Sequence, residues 1–483
     1  MTEAVEAALP DKYSNMSEWY SEILERAEII DIRYGVKGFI VYRPFGMMIM
    51  KNIIKLYEEE LEKTGHKPFL FPVVIPEKNL RMEKEHIKGF EGEVFWVEKG
   101  GFTPLEERLA LRPTSETAIY PLYALWFSSY KELPFKGYQT CAVYRYETKA
   151  TRPLLRGREF LWIETHNVYY TEEEARQQTI EDAEIFYRVT TEKLGIPFLH
   201  IKREEFDKFP GAVDTYAFDT LLPDGRVLQI GTTHYLGTNF TRVFNVVVHD
   251  EEGNLVNPHS TCYGIGLSRI LAAILLVHGD EYGAILPFEI APIQIVIIPI
   301  YKTGFSNEEI DKYCIMVKER LDREGYRVVF DDSEKTPGEK YYYYDLRGVP
   351  FRIEVGPREV QTNKVTIFRR DIRKRETVAL EDLIKYIEDT KGKVLETLRK
   401  RAEDRLRENI IEVRSRDELI EAYRRGGRRI FKIFFCGRKE CADEIKSELD
   451  GLETRGMPLK DVEEGPCVWC GEPGHTCYLA KAY

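Results

Sequence analysis

The sequence predicts an α+β core built on an antiparallel sheet, followed by a smaller α/β domain and a compact, cysteine-bearing terminal region. Three observations carry this. Up to about residue 285, long strand-like runs are joined by hairpin-like loops, with helices between the groups. Past residues 286–292 (Leu-Pro-Phe-Glu-Ile-Ala-Pro), strands and helices alternate, as in a largely parallel sheet. From about residue 396 the chain is at first highly charged and then carries five of its eight cysteines. The expected domains are therefore 1–289, 290–395 and 396–483.

The elements follow in order. Residues 47–64 read as a helix, because Met50, Ile53, Ile54, Tyr57 and Leu61 recur at three- and four-residue spacing and Gly65 supplies the stop. Residues 67–74 read as a strand ending near Pro72, and residues 137–170 as strand, loop and strand. A polar-faced helix is expected over 172–194, strands over 227–230 and 241–249, and a glycine-started apolar helix over 263–278. In the α/β region, residues 293–300 are an almost unbroken β-branched run, as in a strand buried on both faces. The helix after it stripes Ile310, Cys314, Val317 and Leu321 along one side and closes at Gly325. Strands follow over 326–330 and 351–355.

Composition narrows the function. With 43 % hydrophobic and 31 % charged residues, the chain has material for more than one core. No run approaches the roughly 18 apolar residues of a membrane span. The opening Met1-Thr2-Glu3-Ala4 is unlike a secretory leader, so a cytoplasmic protein is expected. A net charge of −11 argues against a protein that coats nucleic acid indiscriminately, but leaves room for a local basic face. Such a face is offered by Arg399, Arg401, Arg405, Arg407, Arg414, Arg416, Arg424, Arg425, Arg428 and Arg429. Their interleaved carboxylates read equally as a solvated, salt-bridged surface.

Four short motifs carry chemistry. Tyr144-Arg145-Tyr146-Glu147 precedes a polar loop and Arg156-Gly157-Arg158-Glu159-Phe160. An arginine and a carboxylate two apart on a strand share a face, so Arg145 can grip a phosphate while Glu147 fixes an amine. Phe160, on the returning strand, offers a flat ring for stacking. Gly264-Ile265-Gly266-Leu267-Ser268-Arg269 lets backbone approach a ligand and sets Arg269 beside it. Leu111-Arg112-Pro113-Thr114-Ser115-Glu116-Thr117 reads as a helix cap with a downstream carboxylate. The fourth motif is Gln229-Ile230-Gly231-Thr232-Thr233-His234-Tyr235-Leu236-Gly237.

In this order the motifs resemble class II aminoacyl-tRNA synthetases, and among them the class IIa prolyl enzymes. The strand ending at Pro72 resembles motif 1, Arg145 to Phe160 motif 2, and Gly264 to Arg269 motif 3. Thr114-Ser115-Glu116 is similar to the loop that holds the proline imino group. The stretches Phe160-Leu161-Trp162-Ile163-Glu164-Thr165-His166, Gln229 to Gly237 and Gly348-Val349-Pro350-Phe351-Arg352-Ile353-Glu354-Val355-Gly356-Pro357-Arg358 resemble prolyl-enzyme signatures. The resemblance runs from about residue 11 to the end. It departs at Ile163, Thr165 and Pro210, where glutamine, glycine and alanine are expected, which leaves pocket detail open.

The resemblance implies the class II antiparallel-sheet catalytic fold, an anticodon-binding domain and a zinc-bearing C-terminal domain. It implies activation of L-proline by ATP with Mg²⁺, then transfer to the 3′ end of tRNA(Pro) by a homodimer. Arg145 and Arg269 become the catalytic cations. Glu147, Arg156, Phe160, Gln229 and Thr232 join them around ATP, with Arg145 on the α-phosphate and Arg269 toward the γ-phosphate. Thr114, Glu116, Trp162, Glu164, His166, Phe209 and His234, with Arg145, surround proline. In the anticodon domain, Arg347, Arg352, Glu354, Arg358, Lys364, Arg369 and Arg370 become candidate RNA contacts. The roughly hundred residues between Phe160 and Gly264 leave no room for the large editing insertion of bacterial relatives, so misactivation of alanine or cysteine is expected. The closing Tyr483 is expected to fold back toward the catalytic domain.

The chemistry suits this reading. Adenylation is attack by a carboxylate already anionic at neutral pH. Its barrier is charge crowding at phosphorus, which calls for cations rather than a general base. A secondary ammonium offers two N–H donors and a charge, which a glutamate and a threonine hydroxyl can satisfy. Separately, Cys436-x4-Cys441, 25 intervening residues and Cys467-x2-Cys470 form a four-thiolate zinc pattern, with His475 and Cys477 as alternates for one ligand. Four protein ligands leave no open position, so the expected Zn²⁺ is structural. Cys141, Cys262 and Cys314 are expected in cores or lining a pocket. A threonyl-type sibling would need zinc ligands inside the catalytic domain, and none are evident. A non-catalytic relative would be expected to lose Glu116, Arg145 or Arg269, and all three are present.

Overall fold

The computed structural model describes residues 8–82, 91–426 and 429–483; Met1-Thr2-Glu3-Ala4 and Arg428 lie outside the described residues. A sheet of seven strands forms the first core: β1 (Lys67–Pro68), β2 (Phe135–Tyr144), β3 (Glu159–Tyr169), β4 (Leu199–Lys202), β5 (Asp214–Leu221), β6 (Val227–Gly237) and β7 (His259–Ile265). The spatial order is β4-β5-β6-β7-β3-β2-β1, antiparallel throughout except for the short β1. The residues between Phe160 and Gly264 are thus largely sheet strands and their connections, continuous with the core.

Helices α1 (Pro44–Lys63) and α2 (Leu267–His278) supply Ile49, Ile53, Tyr57, Ile270, Leu271 and Ile274 to one core, together with Phe186, Phe218 and Tyr263. Phe186 lies flat on Phe218 with centroids 4.3 Å apart. Its ring lies so close to β6 that a Cβ on Gly231 would come 2.7 Å from it. The glycine in the Gln229–Gly237 motif is therefore a packing requirement of the sheet.

Several expectations shift in detail. The strand read over 67–74 is two short ones, Lys67–Pro68 and Val74–Pro76, the latter in a separate three-stranded sheet. Residues 241–249, read as a strand, form a short helix, Asn239–Val243, and a two-residue strand, Val248–His249. Phe240, Phe244, Val246 and Val248 still fill a core, so their apolar pattern reports burial and not strand geometry. Gly264 lies in β7, and the helix begins only at Leu267.

The α/β part holds β8 (Ile295–Pro299), β9 (Val328–Phe330), β10 (Phe351–Val355), β11 (Lys364–Arg369) and β12 (Lys374–Ala379) in the order β9-β8-β10-β11-β12. The first two pairings are parallel and the last two antiparallel, so the sheet is mixed. The capping box of Thr336 and Glu339 opens a helix, Pro337–Leu346, that carries the four consecutive tyrosines. Arg347 stacks on Tyr343 and Arg352 on Tyr341, with guanidinium carbons 3.5 and 3.9 Å from the ring centroids.

That packing corrects part of the RNA expectation. Arg347 pairs with Glu28, Arg352 with Asp345 and Glu354, Arg369 with Asp371, and Arg370 with Asp280. All four arginines are buried. They tie the α/β part to itself and to its neighbour and are not presented to an RNA, whereas Arg358 and Lys364 are exposed.

Helix Leu383–Glu408 runs through residues 395–396 into the third region. There β13 (Ile410–Glu412), β14 (Ile430–Phe435), β15 (Leu452–Pro458), β16 (Glu464–Pro466) and β17 (Pro473–Lys481) form a sheet. Its strand β15 pairs with β4, giving one sheet of twelve strands across both regions. Arg407, Arg414, Arg416 and Arg425 pair with Asp404, Glu463, Glu448 and Glu421, as expected of a salt-bridged surface.

Candidate active site

A cavity of 540 Å³ opens on one face of the seven-stranded sheet. Thr114, Glu116, Arg145, Glu147, Arg156, Phe160, Trp162, Glu164, Phe209, Gln229, Thr232, His234 and Arg269 all line it. Residues up to 155 positions apart thus meet in one space, with an acidic, aromatic end and an arginine end.

The acidic end starts at the turn before helix Glu116–Trp126. Residue Ser115 stands at the N-cap but makes no side-chain cap bond. The hydroxyl of Thr114 donates to the buried carboxylate of Glu116, and Ser115 Oγ to Glu164. The Ser115 hydroxyl, which would ordinarily cap the helix, donates to Glu164 instead.

Glu164 also accepts from Gln139 Nε2 at 2.7 Å, and its other oxygen meets His166 Nε2 at 2.9 Å. His166 is fully buried behind Glu164 and does not line the cavity, a correction to its expected place in the wall. Residues two apart on β3 share a face, but of Glu164 and His166 only Glu164 meets the cavity. Ser115 and Gln139 are two further residues that orient Glu164; Ser115 stands in a recognised motif without this role, and no motif points to Gln139.

His234 closes this end. Its two ring nitrogens lie 3.0 Å from the hydroxyls of Thr215 and Thr232, and its ring lies 4.6 Å from that of Phe209. Burial pushes its pKa down to about 4, so at neutral pH it is an uncharged wall.

Arg145 stands between the two ends. It lies just past β2 and not on a strand, which removes the same-face argument for Arg145 and Glu147. Its Nε donates to Pro113 O at 3.0 Å, and its guanidinium carbon is 5.5 Å from the Phe160 ring and 5.6 Å from Trp162. At the arginine end, Arg269 donates to Leu155 O at 2.9 Å and to Gln229 O at 3.0 Å. Burial and the charges of Arg145 and Arg156 push the Arg269 pKa down to about 10. Three guanidinium groups gathered this closely disfavour one another and favour a polyanion among them.

Arg156 donates from Nη2 to the Tyr483 backbone carbonyl at 2.6 Å and lies 3.8 Å from Glu147. Tyr483 lines the cavity, its ring 4.0 Å from the guanidinium carbon of Arg226, so the chain end does fold back onto this site. Arg203 and Arg455 also line the cavity, and nothing in the sequence pointed to them.

The four cysteines form a second site. The sulfur atoms of Cys436, Cys441, Cys467 and Cys470 lie within 4.8 Å of one another, and those of Cys436 and Cys470 are 3.7 Å apart. Zn–S bonds of about 2.3 Å in a tetrahedron put sulfurs about 3.8 Å apart, so the set fits that ion. The two alternates are engaged elsewhere: His475 meets Glu204 at 3.0 Å, and Cys477 Sγ lies 3.5 Å from Tyr478 O. This is the one such ligand group among the described residues. Of the other three cysteines, Cys262 lines the cavity, Cys141 is buried beneath it and Cys314 is in the α/β core.

Comparison with known proteins follows the same three parts. The model of the tRNA synthetase class II core domain (G, H, P, S and T) matches residues 95–278. That of the anticodon binding domain matches 294–390, and that of the prolyl-tRNA synthetase C-terminal domain 416–483. A proline–tRNA ligase of Thermofilum pendens is 50 % identical over 476 residues, covering 98 % of both chains. One from Methanopyrus kandleri is 45 % identical over 97 % of this chain and 96 % of its own. The solved Giardia lamblia prolyl-tRNA synthetase in complex with prolyl-adenylate superposes with a TM-score of 0.94 at 36 % identity, covering 99 % of this chain and all of that one. The Cryptosporidium parvum enzyme with halofuginone and AMPPNP gives 0.93 at 31 %, covering 98 % and 99 %.

Proposed function

Because the chain belongs to the prolyl-tRNA synthetase family, we propose that its cavity is where L-proline and ATP react, and we assign the side chains accordingly. The enzyme activates proline to prolyl-adenylate and passes the prolyl group to tRNA. The observation that carries the assignment is the cavity's division: a buried carboxylate beside aromatic rings at one end, Arg156 and Arg269 at the other, and Arg145 between.

In this reading the proline ammonium sits at Glu116 and Thr114, its ring among Trp162, Phe209 and the neutral His234. Glu164, locked by Ser115, Gln139 and His166, shapes that pocket. One proline carboxylate oxygen attacks the α-phosphorus; the P–O bond to the β-phosphate breaks and pyrophosphate leaves. Arg145 draws the proline carboxylate and the α-phosphate together and meets the charge that builds there. Arg269 holds the γ-phosphate end, Phe160 stacks on adenine, and Glu147, Arg156, Gln229 and Thr232 complete the nucleotide contacts. Glu93 and Glu147, which line the cavity, are the carboxylates that would hold a Mg²⁺, which would supply positive charge for the departing pyrophosphate.

The metal-bearing region would carry a structural Zn²⁺ on Cys436, Cys441, Cys467 and Cys470. Replacing Cys441 by serine is expected to abolish stoichiometric zinc in the dialysed protein, measured by elemental analysis; one retained equivalent per chain would contradict that ligand set. We retain the division 1–289, 290–395 and 396–483 as three functional units, with helix Leu383–Glu408 as a strut shared by the last two. A homodimer through the motif 1 region would cover Leu70, Leu125 and Trp126, which are exposed in the single chain. No helix among the described residues is long and apolar enough to cross a membrane, and the cytoplasm is the proposed site of action.

ATP–pyrophosphate exchange with each amino acid in turn tests the assignment. Proline drives exchange, and alanine or cysteine does so weakly, because lost ring methylenes cost only about 1–3 kcal/mol. Exchange with threonine and none with proline would overturn it.

A further inference from the structure

The nucleotide-gripping side chains proposed above all precede residue 270, yet Arg455, from the far end of the chain, also lines the cavity. Its position is built. In β15 the register slips between Thr454 and Gly456, and the next two residues pair with β4, Met457 with Lys202 and Pro458 with Ile201. At Gly456, φ is +127° and a Cβ would lie 2.2 Å from Lys202 O, so only glycine permits this approach.

The approach sends Arg455 into a buried chain of contacts. Arg455 Nε donates to Asp219 Oδ2 at 2.7 Å, and Asp219 is fully buried. Arg203 faces the other Asp219 oxygen at 3.5 Å and donates to Arg455 O at 3.0 Å. The second Arg203 Nη donates to Gln229 Oε1 at 2.6 Å. A register slip in β5 between Phe218 and Asp219 sets Asp219 directly opposite Gln229. The backbone carbonyl of Gln229 in turn holds Arg269. Burial alone would raise the Asp219 pKa, but the charges of Arg455 and Arg203 hold it below the usual carboxylate range.

We infer that Arg455 is a positioning residue for ATP: through Asp219 and Arg203 it fixes the Gln229 amide and the backbone that anchors Arg269. The C-terminal region thereby completes the adenylation site it adjoins. A plain inter-domain brace could end at the surface, whereas this one ends on a side chain assigned to the nucleotide. The inference rests on that assignment of Gln229.

The test is pyrophosphate exchange by the full-length enzyme with Arg455→Met, Arg455→Lys, Asp219→Asn, Gln229→Ala and the Gln229→Ala/Arg455→Met pair, alongside thermal melting. Arg455→Met is expected to raise KM for ATP about tenfold or more, with KM for proline within about twofold of wild type. Arg455→Lys recovers part of the loss, and the double variant is no worse than the poorer single one. Should Arg455→Met fail to fold, the near-isosteric Asp219→Asn carries the same expected split. A folded Arg455→Met, or failing that Asp219→Asn, with unchanged KM for ATP overturns the inference. So does an equal rise in both KM values that tracks lost thermal stability. If Gln229→Ala alone leaves KM for ATP unchanged, the assignment of Gln229 falls, and the inference with it. If Gln229→Ala raises KM for ATP while the Arg455 and Asp219 variants do not, only the inference falls.

Discussion

Alanine at position 145 is expected to lower proline-dependent pyrophosphate exchange by about a thousandfold or more while leaving tRNA affinity within about twofold. Arg145 stands between the two ends of the cavity, with the Phe160 and Trp162 rings 5.5 and 5.6 Å from its guanidinium carbon and Pro113 O fixing its Nε. A guanidinium held this way needs no reorganisation when charge builds at phosphorus, and that is what makes such a group effective. Arg156 and Arg269 are anchored elsewhere, to Tyr483 and to Leu155 and Gln229, so neither can take its place. The anticodon binding domain match, residues 294–390, contributes no residue to the cavity, so tRNA binding, followed by filter retention, is the control. Near-normal exchange by Arg145→Ala would refute the placement.

The second large effect is at the other end. Glu116→Gln is expected to raise KM for proline about a hundredfold or more and to leave KM for ATP nearly unchanged. Glu116 is 1 % exposed, so the proline ammonium proposed to meet it pairs with a carboxylate withheld from water. Stripping one charge from a buried pair leaves the other uncompensated, at a cost of about 3–5 kcal/mol. Glutamine keeps the shape and can still accept from the Thr114 hydroxyl, so the effect reports charge and not collapse of the turn. The readout is the pair of Michaelis constants in the exchange assay. A variant that binds proline normally would remove Glu116 from the site.

Much of this was legible in the sequence because it is local. The helix Asn307–Arg323 and the strand Phe351–Val355 follow from apolar spacing that a few residues display in full. The metal ligands follow from two short cysteine spacings. The cavity side chains were recognisable in company, since each motif supplies a few neighbouring residues to one space. What was not legible depends on pairings across the chain. Arg455 and Asp219 are 236 residues apart, and neither sits in a motif that suggests the other. Arg347, Arg352, Arg369 and Arg370 looked like a basic RNA face because sequence shows charge and hides the carboxylates folded against it. Residues 241–249 misled for a related reason: an apolar run marks burial, and the aromatic core around Tyr120 accepts it as a short helix and loop. His166 was placed one layer too near the cavity because alternation along a strand gives its face but not its depth.

In the proposed reading, this cavity joins proline to ATP. The most direct test is to mix the enzyme with ATP, Mg²⁺ and labelled proline without tRNA, and to isolate the protein by rapid gel filtration. Wild type should retain about one prolyl-adenylate per active cavity and discharge it onto added tRNA(Pro), whereas Arg145→Ala should retain none. Wild-type enzyme that retains no adenylate, or Arg145→Ala that retains as much as wild type, would contradict the account.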